Sequence, residues 1–399
     1  MKQYIQLLNG EPVLKKLSTI QLIAYFGAWF SNIAIYTLLI SLDVNAQTIA
    51  FVAMLHFLSG VIQAPFTGAI IDKVQTKKIL LLMLVIQIVT TLGLLYIQTV
   101  EELPFLYILI FIKMAAASFY FTAEMSLLPR ILDGKKLQLA NELHSIIWSF
   151  SYTFGMALSG YFVYLFGVKS AFLLDAFLFG IGLFILISTP IELQIKEKSQ
   201  HLLGMMLDTF RYLKSEIKVF HLMLIHAFVG FTAFDALVAL LVDNYYHMVL
   251  ATSLSLGLLH SFRALGLVIG PAFLGKWINQ KNLIKLFFFE ALAMFVWSFF
   301  MDNFYFSLVA SIFVGFFTTT LWSYTYTLIQ KNMDEKYYGR IVAYNDMLFL
   351  GVAAFTSYMT GVLAKAGWQL ESIGTLMGLS FIVGGIYYFI IYKKYDIKG

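Results

Sequence analysis

Lys113, Glu124, Asp175, Asp235, Arg263 and Glu290 can all carry charge, yet each stands inside a long apolar run. An ionisable group in such a place costs at least about 2.5–3.5 kcal/mol when the run crosses a bilayer. Each therefore needs a reason to be there, such as an ion pair, attraction of an anion, or loading and release of a proton. Lys113, Tyr120 and Glu124 recur at offsets of seven and eleven, which puts all three on one helical face. For Lys113 two readings stand open, a cavity charge linked to protons or anions, and a structural ion pair with another helix. Asp235 and Arg263 lie mid-run in consecutive apolar segments. Paired, they would keep both charges at least expense, either as a structural couple or as a proton-sensitive switch. Asp235 would be the titrating member, since Arg stays protonated. Glu124 lies roughly 16 Å along the helix from Lys113. It is the first candidate for a proton carrier, and Asp235 the second. His56, His144, His226 and His260 have no metal-like spacing and read as packed polar residues.

The elements that must position these groups follow from composition. Of the 399 residues 60% are hydrophobic and 12% charged, against about 25% charged in a soluble domain. That much apolar surface requires lipid as solvent. With no cysteine, disulfides, thiolate metal sites and cysteine nucleophiles are excluded. No G-x-x-x-x-G-K-[ST] loop occurs, so no ATP hydrolysis is expected. No catalytic residues, metal or cofactor are implied. The first long apolar run, after Lys15 and Lys16, is too long for a signal-peptide core.

Runs of about 20 apolar residues cross lipid as helices, because the backbone must satisfy its own hydrogen bonds. The expected class is therefore an all-α membrane protein with twelve transmembrane helices: 17–42, 46–71, 77–98, 103–128, 138–165, 169–189, 219–247, 250–277, 282–301, 304–330, 338–365 and 369–392. Residues 190–218 form a charged linker with an amphipathic segment. It separates an N-terminal six-helix bundle, 1–189, from a C-terminal one, 219–399. Of the 27 Lys and Arg, Lys169 and Lys365 fall on one side, Lys113 and Arg263 fall inside spans, and all the others fall on the side of the two termini. Positive charge stays inside, so both termini are expected in the cytoplasm. The basic residues are confined to particular loops, and no nucleic-acid partner is expected.

The halves repeat weakly. "QAPFTGAIID" ends span two and "IGPAFLGKWIN" ends span eight; "ANEL" opens span five and "YNDM" opens span eleven. Two bundles at a near-constant offset describe a pseudo-symmetric parallel repeat, with a substrate site expected between them near the midplane.

"GAIIDKVQTKK", Gly68 to Lys78, resembles the signature of the major facilitator superfamily between spans two and three, with Lys73 in place of the usual Arg and Gln75-Thr76 in place of Gly-Arg. Within the superfamily, "LLPRILDGKKLQLANEL", "AFLLDAFLF", "LDTFRYLKSE" and "IQKNMDEKYYGRIVAYND" are most similar to the macrolide-efflux and enterobactin-exporter branch. Topology accounts for most of Lys73, Lys77 and Lys78, but not for Asp72. The resemblance implies that Asp72, Lys73, Lys77 and Arg340 form a cytoplasmic latch across the two halves, against the alternative of local capping. It implies that "IFIKMAAASF" carries the basic residue of antiporters on span four, here Lys113. It also implies that Asp175 makes a structural bond and that Glu290, on a peripheral span, lies at the interface. The antiporters' span-five motif is represented by Gly155–Gly160 without its proline. Close helix packing through small residues explains that stretch equally well.

The resemblance further implies that spans one, four, seven and ten face the cavity. Span one presents Gln21, Tyr25, Asn32 and Tyr36 in one stripe; span four offers Tyr120, and span seven Phe231 and Thr232 beside Asp235. Span ten presents Thr319, Ser323 and Tyr326 with Trp322 adjoining. Aromatic walls with a few polar groups suit an amphipathic, drug-sized molecule. The expected function is that of a proton-coupled secondary exporter, a monomer in the lipid bilayer of the inner (cytoplasmic) cell membrane, moving a small-molecule substrate by alternating access. The alternatives are a lipid or lysolipid translocator of the same fold, a small-metabolite uptake carrier, and a non-transporting sensor or scaffold.

Overall fold

The computed structural model describes residues 2–191 and 202–398. Among them the secondary structure is helical, with no strand. A short amphipathic helix, α1 (Lys2–Gly10), precedes α2 (Pro12–Ser41), α3 (Ala46–Lys73), α4 (Thr76–Gly93), α5 (Leu103–Ile131) and α6 (Gly134–Ile187). After the linker come α7 (Leu202–Ser215), α8 (Ile217–Ala227), α9 (Asp235–Leu241), α10 (Thr252–Leu274), α11 (Gln280–Phe299), α12 (Phe304–Asn332), α13 (Tyr338–Lys365) and α14 (Leu370–Lys394).

Eleven helical stretches among the described residues are long and apolar enough to cross a membrane. One of them, α6, holds 54 residues and takes non-helical angles at Gly167, φ 78° and ψ 169°. A straight helix of that length would run about 80 Å, far beyond a hydrocarbon core of about 30 Å. It therefore comprises the expected spans five and six, and the total among the described residues is twelve.

Span seven departs from expectation. In place of one helix, α8 ends at Ala227, a 3₁₀ turn covers Phe228–Thr232, α9 starts at Asp235, and a π-helical turn follows at Val242–Tyr246. Gly230 weakens the helix there. A Cβ on it would lie 2.7 Å from the Phe349 carbonyl oxygen of α13. The Thr232 hydroxyl donates back to the Val229 carbonyl at 2.8 Å, which competes with helical bonding.

The chain divides into two compact units. The first is Met1–Leu42 with Pro65–Ser199, and the second is Asp43–Ala64 with Gln200–Gly399. The first part of α3 thus groups with the second unit rather than with residues 1–189. Gln47 shows why: its amide nitrogen donates to Tyr358 at 3.0 Å, and its amide oxygen accepts from Lys365 at 2.9 Å.

In the first unit α2 packs along α6. Gly155 carries no Cβ where one would come within 2.6 Å of the Trp29 ring, so this glycine serves close helix packing. Leu17, Ile20, Leu80, Leu84, Leu127 and Phe179 form the core between the spans. α1 docks Leu7 against Leu14, Leu128 and Ala140, and Tyr4 donates to Glu142 at 2.9 Å.

Candidate functional site

The first unit contains two separate polar groups. α5 turns Lys113, Tyr120 and Glu124 to its buried side, as their spacing requires. Lys113 Nζ lies 2.5 Å from Asp175 Oδ2 on α6 and donates to Thr91 Oγ1 on α4 at 2.7 Å. Ser31 of α2 donates to the same carboxylate oxygen, and the Lys113 ammonium sits 5.5 Å from the centre of the Phe179 ring. Asp175 has no exposed surface. Of the two readings of Lys113, the ion pair is the one its contacts describe, and Asp175 is its partner.

The second group gathers on α2, α5 and α6. Glu124 is buried and has no hydrogen bond or ion pair among the described residues. Tyr120 shares its buried side of α5 one turn away, and Tyr25 of α2 lies near both. Gln21 Nε2 meets His144 Nδ1 at 2.5 Å. The His144 ring stands edge-on to Tyr25 at 6.2 Å and lies 5.3 Å from Phe121. By spacing alone His144 reads as a packed polar residue; the fold sets it in the same cluster as Gln21, Tyr25 and Glu124. Further along α2, Tyr36 is buried and Asn32 half-buried, and Trp29 packs 4.8 Å from Tyr152.

In the second unit the contacts differ from the expected pair of Asp235 with Arg263. Asp235 Oδ1 faces His260 Nε2 at 3.8 Å. The Arg263 guanidinium lies over the Phe234 ring at 4.5 Å and donates to the Thr232 carbonyl at 3.2 Å. The broken span supplies both partners, because the turn before α9 exposes a carbonyl that a continuous helix would have used. Arg263, His260, Phe234 and Trp297 line a small pocket. Glu290 is not interfacial: it is fully buried and accepts from Thr318 Oγ1 at 2.9 Å.

On α12, Trp322 stacks on Tyr326 at 5.3 Å. Both rings lie within 5.6 Å of the His226 ring, whose Nδ1 is 2.9 Å from Thr325 Oγ1. Ser323 is exposed and Thr319 half-buried on this helix. Phe231 packs 5.7 Å from Phe228 in the 3₁₀ turn. Sequence spacing finds the aromatic pair; it holds no signal for His226, which reaches the pair from α8.

Of the latch residues, Asp72 and Lys73 form the end of α3, but their side chains lie outside the described residues. Lys77 Nζ donates to the carbonyls of Ile187 and Thr189 at 2.9 and 2.7 Å, where a cation suits the negative end of a helix. Arg340 bonds Asp208 of α7 at 3.1 Å and lies over Tyr337.

Residues 17–356 match the model of the Major Facilitator Superfamily. The chain belongs to the major facilitator superfamily. It is a multi-pass membrane protein. The facilitator is 26% identical over 185 residues to an uncharacterized MFS-type transporter, YfiS, of Bacillus subtilis (strain 168). That match takes in 46% of this chain and 44% of the relative's length. Among solved structures, a mutant of the nucleoside transporter NupG superposes with a TM-score of 0.72 at 12% identity, over 95% of this chain and all of NupG. Another NupG structure gives 0.70 at 13% identity, over 99% of this chain and all of NupG. At such identities the likeness is one of fold.

Proposed function

We propose that this facilitator exports an amphipathic or lipophilic small molecule in exchange for protons, as a monomer, with both termini in the cytoplasm. The observation that carries this reading is the isolation of Glu124. Lys113 and Asp175 neutralise each other, Asp235 faces His260, and Glu290 is held by Thr318. Glu124 alone of these acids is buried without a bonded partner among the described residues, beside Gln21, Tyr25 and His144. A carboxylate so placed can take up a proton and give it back without breaking a structural bond.

The substrate class rests on the residues of α2 and α12. The polar groups of their candidate stripes are hydroxyls and amides, set among Trp29, Trp322 and Tyr326. This chemistry suits a largely apolar molecule with a few hydrogen-bonding groups. Direction rests on the resemblance of four segments to the macrolide-efflux and enterobactin-exporter branch.

A ligand-stabilisation screen of the purified transporter, with drugs, siderophores, lysolipids and nucleosides side by side, tests the substrate class. Selective stabilisation by an amphipathic drug or a siderophore is expected. Stabilisation by nucleosides alone overturns the substrate class proposed here and favours uptake of a polar metabolite.

A further inference from the structure

α7 is held by one face and leaves the other open. On the held face, Thr209 and Leu213 are buried, and Tyr212 stacks on Tyr337 with ring centres 4.1 Å apart. The Tyr212 hydroxyl accepts from the Asp334 backbone N–H at 2.8 Å, and Asp208 accepts from Arg340 at 3.1 Å. The helix is therefore fastened to the head of α13.

The open face reads Leu207, Phe210, Arg211 and Lys214. These positions follow the spacing of a single helical stripe, and all four side chains are exposed, Leu207 at 57% and Phe210 at 54%, the Phe210 ring touching α13 along the side where it meets Tyr344 at 5.6 Å. Two large apolar side chains lie beside two cations, and the stripe itself has no acid, since Asp208 is turned to Arg340. Only Glu216 separates α7 from Ile217, where the membrane-crossing stretch Ile217–Tyr246 begins. A helix one residue away from a membrane span lies at the boundary between lipid and water.

We infer that the open face of α7 docks on an anionic lipid surface, with Leu207 and Phe210 among the acyl chains and Arg211 and Lys214 on the phosphates. Apolar burial alone would accept any lipid; the paired cations favour a negatively charged leaflet. Each is expected to contribute about fivefold to that preference. Because the opposite face grips Arg340 and Tyr337, the lipid composition bears directly on the start of span eleven. The inference rests on the neighbouring membrane span and not on export or proton coupling, so it stands or falls independently of those.

The chain has no native cysteine, so Leu207→Cys gives a single attachment site for an environment-sensitive fluorophore. The labelled full-length protein is placed in nanodiscs of phosphatidylcholine, alone or with one-third phosphatidylglycerol. Emission shifted to the blue in the anionic discs, and less so in the neutral ones, is expected. Adding Arg211→Gln and Lys214→Gln should erase the difference between lipids, as should high salt, while the melting temperature stays near that of the labelled parent. Water-like emission in both lipids overturns the inference, as does a blue shift indifferent to lipid charge. A shift that appears in detergent as protein concentration rises assigns the face to a second copy of the chain, and overturns it too.

Discussion

Asp175 on α6 holds Lys113 on α5 at 2.5 Å, with both side chains all but closed to solvent. The pair ties two spans together, and Thr91 and Ser31 extend the tie to α4 and α2. It gives the cation of span four a structural partner.

Asp175→Asn leaves the ammonium buried without its counter-charge. A loss of about 3–5 kcal/mol is expected, read as a lower melting temperature in detergent. The double change Lys113→Met with Asp175→Leu should recover most of it. A thermally silent Asp175→Asn contradicts a buried pair.

Gly155→Ala places a Cβ within 2.6 Å of the Trp29 ring. Overpacking of this kind costs about 1–3 kcal/mol. Trp29→Phe, which vacates part of the ring's space, should reduce the cost in the double variant. Equal losses with and without Trp29→Phe would show that the strain lies elsewhere.

Asp235 should couple energetically to His260. In a double-mutant cycle on thermal stability with Asp235→Asn and His260→Gln, an interaction of at least about 0.5 kcal/mol is expected, as for groups in contact. A larger coupling of Asp235 to Arg263 restores the pairing expected from sequence.

The twelve spans were legible because lipid forces every backbone group into helices, and a run of apolar residues has few other outcomes. The shared face of Lys113, Tyr120 and Glu124 was legible for the same local reason, since periodicity needs no knowledge of neighbours. Partners were not. Lys113 and Asp175 are 62 positions apart, and nothing in their own surroundings states which helix faces which. His144 and His226 likewise gain their settings from packing between helices. The break in span seven was written only as Gly230 and Thr232, a weak local signal whose effect is decided by α13 pressing on that glycine.

The proposed latch makes a prediction of its own. Asp72→Asn keeps shape and removes charge, and it should raise the reactivity of a single cysteine engineered into the cytoplasmic mouth. Unchanged labelling with unchanged transport counts against a latch at Asp72.

Proton exchange at Glu124 is tested most directly in proteoliposomes. With a substrate from the stabilisation screen, the parent protein should build a substrate gradient from an imposed pH gradient. Glu124→Gln should fail to do so, yet still exchange labelled for unlabelled substrate at equal pH on both sides. If the Glu124→Gln protein still builds a substrate gradient from the pH gradient, Glu124 does not carry the proton and the proposed coupling is wrong at its centre.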